Sequence, residues 1–151
     1  MQNIKILNKK EIKQILSLVE QQWGPNIDLD YVFLQNTKNK IYIVNKDISK
    51  LNLDNLRINS LGLYFAELNH NQLRLSFEGA QIIGPTSKKN VLELDDNELK
   101  QWLKGEDLDK ETKLKGYQII KNKEDFYGCG KVINNKLLNH VPKIRRISAI
   151  N

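Results

Sequence analysis

The sequence has little of what covalent or metal stabilisation requires. It contains one cysteine, Cys129, and two histidines, so no internal disulfide can form and a tetrahedral zinc site would need carboxylate ligands. No run approaches the roughly 18–20 apolar residues of a membrane span, and residues 1–14 lack the continuous apolar core of a signal peptide. These absences predict a cytoplasmic protein with no metal, no cofactor and no membrane partner; a single cysteine agrees with a reducing compartment.

The charge of the chain is moderate but unevenly distributed. Its 151 residues carry 24 Lys and Arg against 18 Asp and Glu, a formal charge of +6. The balance is +3 for residues 1–75, −2 for 76–120 and +5 for 121–151. A basic C-terminal segment indicates an anionic partner, although a solvated basic edge would give the same count.

Two segments have clear helix signals. Asn8 and Glu11 have the spacing of a capping box, an apolar stripe with helical periodicity follows, and Gly24 and Pro25 end the segment. Asp95 and Glu98 repeat the capping-box spacing before a second, shorter helix that stops at Gly105. A third short helix or turn is expected between Glu78 and Gly84, and a fourth helical piece from Asp47 to about Leu53.

The remaining apolar segments predict strands. Alternation of apolar and polar residues and flanking Asn-rich turns place them at Tyr31–Gln35, Lys40–Asn45, Leu61–Leu68, Gln72–Phe77, Val91–Leu94, Tyr117–Lys121, Phe126–Ile133, Lys136–Asn139 and Ile144–Ile147. Residues 106–116 are charged and are expected to form a loop. The polar connector 86–90 suggests a boundary, so we predict an α+β protein with one domain over 1–85 and another over 86–151. The second domain, with one helix among short strands, has the pattern of a small barrel-like module.

Three C-terminal segments resemble the closing part of PUA-type RNA-binding domains. They are Gly116–Ile120, Phe126–Lys131 and the run Asn139-His140-Val141-Pro142-Lys143-Ile144-Arg145-Arg146. The similarity is greatest to the C-terminal PUA-like domain of rRNA cytosine-C5 methyltransferases. The sequence departs from that pattern at Cys129, where the family often has an aromatic residue, and at Leu138, where it often has lysine.

A weaker similarity lies upstream. Residues 56–63 and 73–80 resemble the entry segment of the same group, and archaeal stand-alone pre-PUA/PUA proteins share the layout. The resemblance implies a pre-PUA α/β domain followed by a PUA-like β pseudo-barrel.

The resemblance also implies binding of structured RNA. A-form RNA presents phosphates and a shallow minor groove, which cations and closely approaching backbone recognise. The residues that we expect to contact RNA are Lys88, Lys89, Gly105, Tyr127, Gly128, Gly130, Lys131, Lys143, Arg145 and Arg146. Most also have a structural interpretation. Gly105 could serve only as a helix stop, Gly128 and Gly130 could mark a bulge, Tyr127 could lie in the core, and Lys88 and Lys89 could belong to a solvated loop.

Strand alternation orders the last three cations. Lys143 and Arg145 would face one way and Arg146 the other, so geometry favours the first two, although the family pattern retains Arg146.

Catalytic chemistry has little support in the sequence. No Gly-rich cofactor fingerprint follows a strand, and Cys129 has no neighbouring base that would activate a thiol. His70, at a hairpin tip, and His140, beside a strand end, have no partner at a spacing useful for general base catalysis. The related methyltransferases carry a separate catalytic domain, for which 151 residues leave no room. We therefore expect that the chain is not an enzyme.

These observations predict a non-catalytic protein that recognises structured tRNA or rRNA and is accessory to RNA modification, rRNA processing or ribosome biogenesis. A separate RNA methyltransferase or a pre-ribosomal protein is a further expected partner. The first alternative is a protein-interaction adaptor that docks such a partner, with RNA contact incidental. The second is a small enzyme of unknown chemistry, which the preceding arguments disfavour.

Overall fold

Two five-stranded sheets and three helices make up the part of the chain that the structure, a computed structural model, describes: residues 4–46, 62–143 and 146. The first sheet has the order β1-β2-β3-β4-β5 and is antiparallel throughout. Its strands are β1 (Lys5–Ile6), β2 (Tyr31–Gln35), β3 (Lys40–Asn45), β4 (Leu63–Asn69) and β5 (Gln72–Leu75).

Helix α1 (Lys9–Trp23) packs against this first sheet. Asn8 and Glu11 form the predicted capping box, and Gly24 ends the helix in the left-handed region, with φ 97°. The apolar stripe buries Ile15, Val19 and Trp23. The local sequence signals therefore give both the bounds and the buried face of this helix correctly.

The second sheet curls into the half-barrel that the PUA-like prediction requires, with the order β6-β8-β9-β10-β7. Only β6 pairs in parallel with its neighbour; the other described pairs are antiparallel. Its strands are β6 (Val91–Glu93), β7 (Leu108–Asp109), β8 (Gly116–Asn122), β9 (Asp125–Ile133) and β10 (Lys136–Leu138). The predicted α+β fold is confirmed.

Two helices flank the strands of the second half. Helix α2 (Phe77–Ile83) begins after Ser76, whose side chain accepts a hydrogen bond from the amide of Gly79, and it runs into a single 3-10 turn, Gly84–Thr86. Helix α3 (Asp96–Leu103) has the predicted capping box between Asp95 and Glu98.

The hairpin of β8 and β9 is buried on both faces. Tyr117, Ile119 and Cys129 belong to the core that lies under the first sheet, whereas Ile120 and Val132 belong to the core inside the half-barrel. Because successive strand residues point to opposite faces, one hairpin supplies both cores. The β8–β9 hairpin therefore separates the two cores and contributes side chains to both. The domain boundary after residue 85 stays a prediction.

The differences from the predicted elements are local. Phe77 begins a helix instead of ending a strand, because Ser76 caps that helix. The expected loop 106–116 contains β7, which pairs with β10, and β10 ends at Leu138, one residue before the prediction. The predicted helical piece from Asp47 and, apart from Arg146, the strand Ile144–Ile147 lie outside the described residues.

Candidate nucleic-acid interface

Arg74 and His140 form a contact between the first sheet and the segment that follows the last strand of the second sheet. Arg74 lies on β5 and His140 follows β10, and the guanidinium Nη1 is 3.2 Å from the imidazole Nδ1. A second guanidinium nitrogen, Nη2, donates to Oε2 of Glu67 at 2.5 Å. Because arginine stays protonated in proteins, Nδ1 of His140 must be the acceptor, and the neutral ring therefore carries its hydrogen on Nε2.

The surroundings of His140 favour this neutral form. Burial lowers the pKa of His140 below 6.5, and the positive charge of Arg74 lowers it further. Lys131 acts in the same direction, while the carboxylates of Asp107 and Glu67 oppose it. Nε2 is buried and has no hydrogen-bond partner among the described residues.

Lys131 extends the cationic region along the second sheet. It lies directly across the ladder from Tyr117, and its ammonium nitrogen is 5.3 Å from the centroid of the Tyr117 ring. The ring of His140 lies next to the Tyr117 ring, with 6.5 Å between the two centroids. No carboxylate within the described residues forms an ion pair with Lys131, so this cation is held by an aromatic face.

Lys40 extends the cationic region along the first sheet. Lys40, Glu67 and Arg74 are aligned on neighbouring strands, with Glu67 opposite both cations. The carboxylate of Glu67 is taken by Arg74, and the Lys40 ammonium lies 5.5 Å from the centroid of the Tyr64 ring. Burial raises the pKa of the Tyr64 hydroxyl, so it stays protonated. We refer to Lys40, Arg74, Lys131 and His140 as the basic seam.

A pocket of about 220 Å³ opens beside the basic seam. It lies between β5, the start of α2, the middle of β9 and the segment after β10. Its lining residues are Lys40, Tyr64, Arg74, Leu75, Ser76, Phe77, Gly128, Cys129, His140, Val141 and Pro142. The pocket thus combines cations and hydroxyls with apolar walls, a composition that suits a small ligand bearing negative charge.

Of the glycines predicted to approach RNA, Gly128 lines this pocket and Gly130 does not. Gly128 has φ 89°, and a Cβ there would come within 3.3 Å of the Phe77 ring. Gly130 is buried, and a Cβ there would lie 2.7 Å from atoms of both Trp102 and Leu137. The close approach that requires glycine at 130 is therefore to the barrel core. Tyr127 is half-buried, with its ring edge-on to Phe77 at 6.1 Å between centroids.

The Asn139 element of the family motif has a structural role. Its side-chain amide donates to the carbonyls of Trp102, at 2.8 Å, and Glu106, at 2.9 Å. Its Oδ1 accepts from the amide of Val141 at 2.8 Å. Asn139 therefore ties the end of α3 to the segment after β10.

Gly105 and Arg146 act together at the same place. Gly105 has φ 88°, and the Arg146 side chain lies so close over it that a Cβ would be 2.4 Å from the arginine Nε. That Nε donates to the carbonyl of Val141 at 3.0 Å. This contact explains both residues structurally, although Arg146 is still largely exposed.

The other predicted cations are not part of the basic seam as defined above. Lys88 and Lys89 are exposed, and their amides both donate to the carbonyl of Trp23, at 2.8 and 3.2 Å, so their backbone closes the end of α1. Lys143 is exposed just after Pro142. Arg145 lies outside the described residues. RNA contact by all of these stays a prediction.

Sequence reasoning missed three of the four seam residues. His140 was considered only as a general base, and its hydrogen-bond partner in the structure is Arg74, 66 positions earlier. Arg74 was noted in the upstream similarity and in the alternation of a strand, and Lys40 only as the first residue of a strand. Two signals therefore pointed to Arg74, its place in the upstream segment and the alternation that sets its side chain opposite to the core face of β5, but neither linked it to His140.

Other chemistries find little support among the described residues. No group of three or more His, Cys, Asp or Glu side chains is placed there to hold a metal ion, and no helix is both long and apolar enough to cross a membrane. Burial raises the pKa of the Cys129 thiol to about 12, whereas a nucleophilic cysteine needs a lowered pKa.

Comparison with known proteins agrees with the sequence motifs. Residues 89–147 match the family model of the methyltransferase RsmF PUA domain. The ribosomal RNA small subunit methyltransferase F of Vibrio vulnificus strain YJ016 is 23% identical over 140 residues, which cover 89% of this chain and 29% of that protein. Its counterpart in Vibrio cholerae strain M66-2 is 28% identical over 92 residues, which cover 60% of this chain and 20% of that protein.

The similarity therefore extends over less than a third of the length of these relatives. It includes the segment that folds into the curled second sheet and carries Lys131, His140 and Lys143. Residues 89–147 are thus similar to the PUA domain of RsmF methyltransferases, and we refer to them as the PUA-like domain.

Proposed function

We propose that this protein binds structured RNA, of the tRNA or rRNA class, through the basic seam and the cations that follow it in sequence. The observation that carries the proposal is a line of contacts between the two sheets: Lys131 lies over the Tyr117 ring, Tyr117 lies beside His140, and His140 meets Arg74 of the first sheet. Of the cations of the basic seam, only Arg74 forms an ion pair among the described residues, with Glu67. Such an excess of positive charge suits a phosphate backbone.

The comparisons support an rRNA-modification context for this binding. The relatives are named as ribosomal RNA methyltransferases, and the part of them that this chain matches includes a PUA domain. We infer a non-catalytic contribution, accessory to RNA modification or ribosome biogenesis in the cytoplasm. The burial of Cys129 and its raised pKa support this, since the thiol is protonated and inaccessible.

Binding titrations at two salt concentrations test the proposal. The ligands are a tRNA, an rRNA hairpin and a DNA duplex of equal length, each labelled for fluorescence anisotropy. We expect RNA to bind, with a log–log salt slope of nearly one per phosphate contact. Replacing Lys131, Lys143 and Arg145 with alanine should lower the affinity at least tenfold and reduce the slope by about two to three.

A matched control removes charge elsewhere. Lys9, Lys10 and Lys13 are exposed on α1, so their triple alanine variant, which removes the same charge, should bind RNA as the parent does. Equal loss in both variants would mean that only net charge matters, and no loss in either would refute the proposed surface. Absence of RNA binding at low salt, together with direct binding of a methyltransferase chain, would instead favour an adaptor.

A further inference from the structure

The pocket beside the basic seam has the size of a site for one small group. Its volume of about 220 Å³ is below the roughly 300–1,000 Å³ of pockets that hold drug-sized ligands. A phosphate group with part of one nucleotide fits this space, whereas the body of a double helix is far too wide to enter. Lys131 is not among the lining residues and lies outside the pocket, on the second sheet.

Hydrogen-bond donors outnumber acceptors in the lining. Arg74 has five N–H groups, and its described partners are one carboxylate oxygen of Glu67, one imidazole nitrogen of His140 and the hydroxyl of Tyr64. Lys40 has three N–H groups and no ion pair among the described residues. The carboxylate of Glu67, which lies opposite both residues in the sheet, is already bound by Arg74. A ligand that supplies several negatively charged oxygens would satisfy these donors, and phosphate is the group that does so best.

The cations are also held in place before any ligand arrives. Glu67 fixes one edge of the Arg74 guanidinium and His140 another, so that little side-chain entropy would be lost on binding. The lining also contains the apolar residues Phe77, Val141 and Pro142. Such walls suit the planar, weakly solvated part of a ligand whose other end is charged.

We propose that the seam pocket binds one unpaired nucleotide, with its phosphate against Arg74 and Lys40 and its base against the apolar wall of Phe77, Val141 and Pro142. The nucleotide belongs to an RNA bulge, loop or end; a free mononucleotide has the same chemistry and is the other source to be tested. The RNA source rests on the function proposed above. Lys131 favours it, because this cation beyond the pocket would meet the neighbouring phosphate of a longer chain.

Two kinds of ligand distinguish the sources. The first is adenosine 5′-monophosphate, compared with adenosine, which lacks the phosphate. The second is a pair of RNA hairpins that differ by a single-nucleotide bulge. We expect the monophosphate to bind at least tenfold more tightly than the nucleoside, and the bulged hairpin at least tenfold more tightly than the fully paired one.

Variants then locate the site. Lys40→Ala should weaken binding of both the monophosphate and the bulged hairpin at least fivefold, and Arg74→Lys, which keeps the charge but loses the planar donor pair, by a similar factor. Lys38→Ala is the matched control, since Lys38 is exposed on the turn of the same hairpin. If Arg74→Lys proves unstable, comparison of Lys40→Ala with Lys38→Ala still shows whether the ligand binds in the pocket.

The NMR signals of the His140 ring give an independent readout. A bound phosphate would place negative charge near the ring and raise its pKa, whereas His70, on the exposed turn between β4 and β5, serves as internal reference. Equal affinity for the two hairpins, with no effect of Lys40→Ala and no monophosphate binding, would overturn the pocket proposal and leave RNA binding intact. Binding of the monophosphate without binding of any RNA would support the pocket with a free nucleotide as its ligand, and would overturn the proposed function.

Discussion

The guanidinium of Arg74 and the imidazole of His140 meet at 3.2 Å across 66 residues of sequence. Arg74 is anchored to Glu67 within the first sheet, and His140 lies against Tyr117 of the second. The contact therefore connects the two sheets at the place where the cations gather. Its polarity is fixed, since arginine can only donate and the histidine must accept.

This contact predicts how stability depends on pH. Burial, followed by the charge of Arg74, keeps the pKa of His140 in the folded protein below 6.5. As the pH falls, the unfolded chain therefore takes up this proton before the folded one does. The stability associated with neutral His140 is present above about pH 6.5 and is lost as the pH falls through that value towards the lower folded-state pKa.

Urea denaturation between pH 5 and pH 8 measures the effect. The free energy of unfolding should decrease on the acidic side, and His140→Gln should flatten this part of the profile. Arg74→Gln removes one cause of the shift but not the larger one, burial, so NMR titration should find the pKa of His140 raised but still below 6.5. A parent profile identical to that of His140→Gln would contradict the prediction.

Asn139→Ala should be among the most destabilising polar substitutions in the PUA-like domain. The amide side chain satisfies the carbonyls of Trp102 and Glu106 and the amide of Val141. Alanine would leave the Glu106 carbonyl and the Val141 amide without this partner, while the Trp102 carbonyl would still accept from the Gly105 amide at 3.0 Å. We expect a cost of roughly 2–4 kcal/mol for this half-buried site.

Asn97→Ala provides the comparison for this prediction. Asn97 is exposed near the start of α3, where alanine is at least as good a helix former. Its substitution should change the free energy of unfolding by less than about 0.5 kcal/mol. Equal midpoints for the two variants in urea would show that the Asn139 network contributes nothing to stability.

The elements that sequence predicted well are those with local causes. Helix α1 is defined by a capping box at Asn8 and Glu11 and by a glycine at its end, and α3 begins in the same way at Asp95 and Glu98. These signals act within one or two helical turns. Strand β7 was missed because it has only two residues, and its pairing with β10 depends on chain far away in sequence.

The candidate site depends still more on tertiary structure. Lys131 was predicted because it lies in a recognisable motif. Lys40 and Arg74 lie on strands of the other sheet, and they come near the PUA-like domain only when both sheets have folded. The motif itself proved to contain structural residues: Asn139 ties the end of α3, and Arg146 packs over Gly105. A family pattern identifies such residues without separating those that bind from those that pack.

Gly130→Ala and Gly116→Ala should destabilise the protein for different reasons. A methyl group at 130 would lie 2.7 Å from atoms of Trp102 and Leu137 and 3.0 Å from the carbonyl oxygen of Leu138. Overpacking of this kind costs about 1–3 kcal/mol. A methyl group at 116 has no atom within 4 Å, so only its φ of 79° is unfavourable, at about 1–2 kcal/mol.

A second substitution at Trp102 separates the two causes. Trp102→Phe removes ring atoms near the Gly130 Cα, so the cost of Gly130→Ala should be smaller in that background, whereas the cost of Gly116→Ala should not change. A double-mutant cycle of thermal or urea unfolding measures this coupling. Additive effects for both glycines would refute the steric explanation for Gly130.

Cys129 should resist alkylation as long as the protein is folded. The residue is 3% exposed and packs in the core beneath the first sheet, and burial raises the pKa of its thiol to about 12. At pH 8 the thiolate fraction is then about one in ten thousand, and the thiolate is the species that reacts. Iodoacetamide should therefore label Cys129 only through transient opening of the core, at a rate that rises steeply in urea.

Mass spectrometry of the folded and the urea-unfolded protein, sampled over the same interval, gives the comparison. Rapid labelling of the folded protein would show that the thiol is accessible and ionised, and would reopen the question of a nucleophilic role.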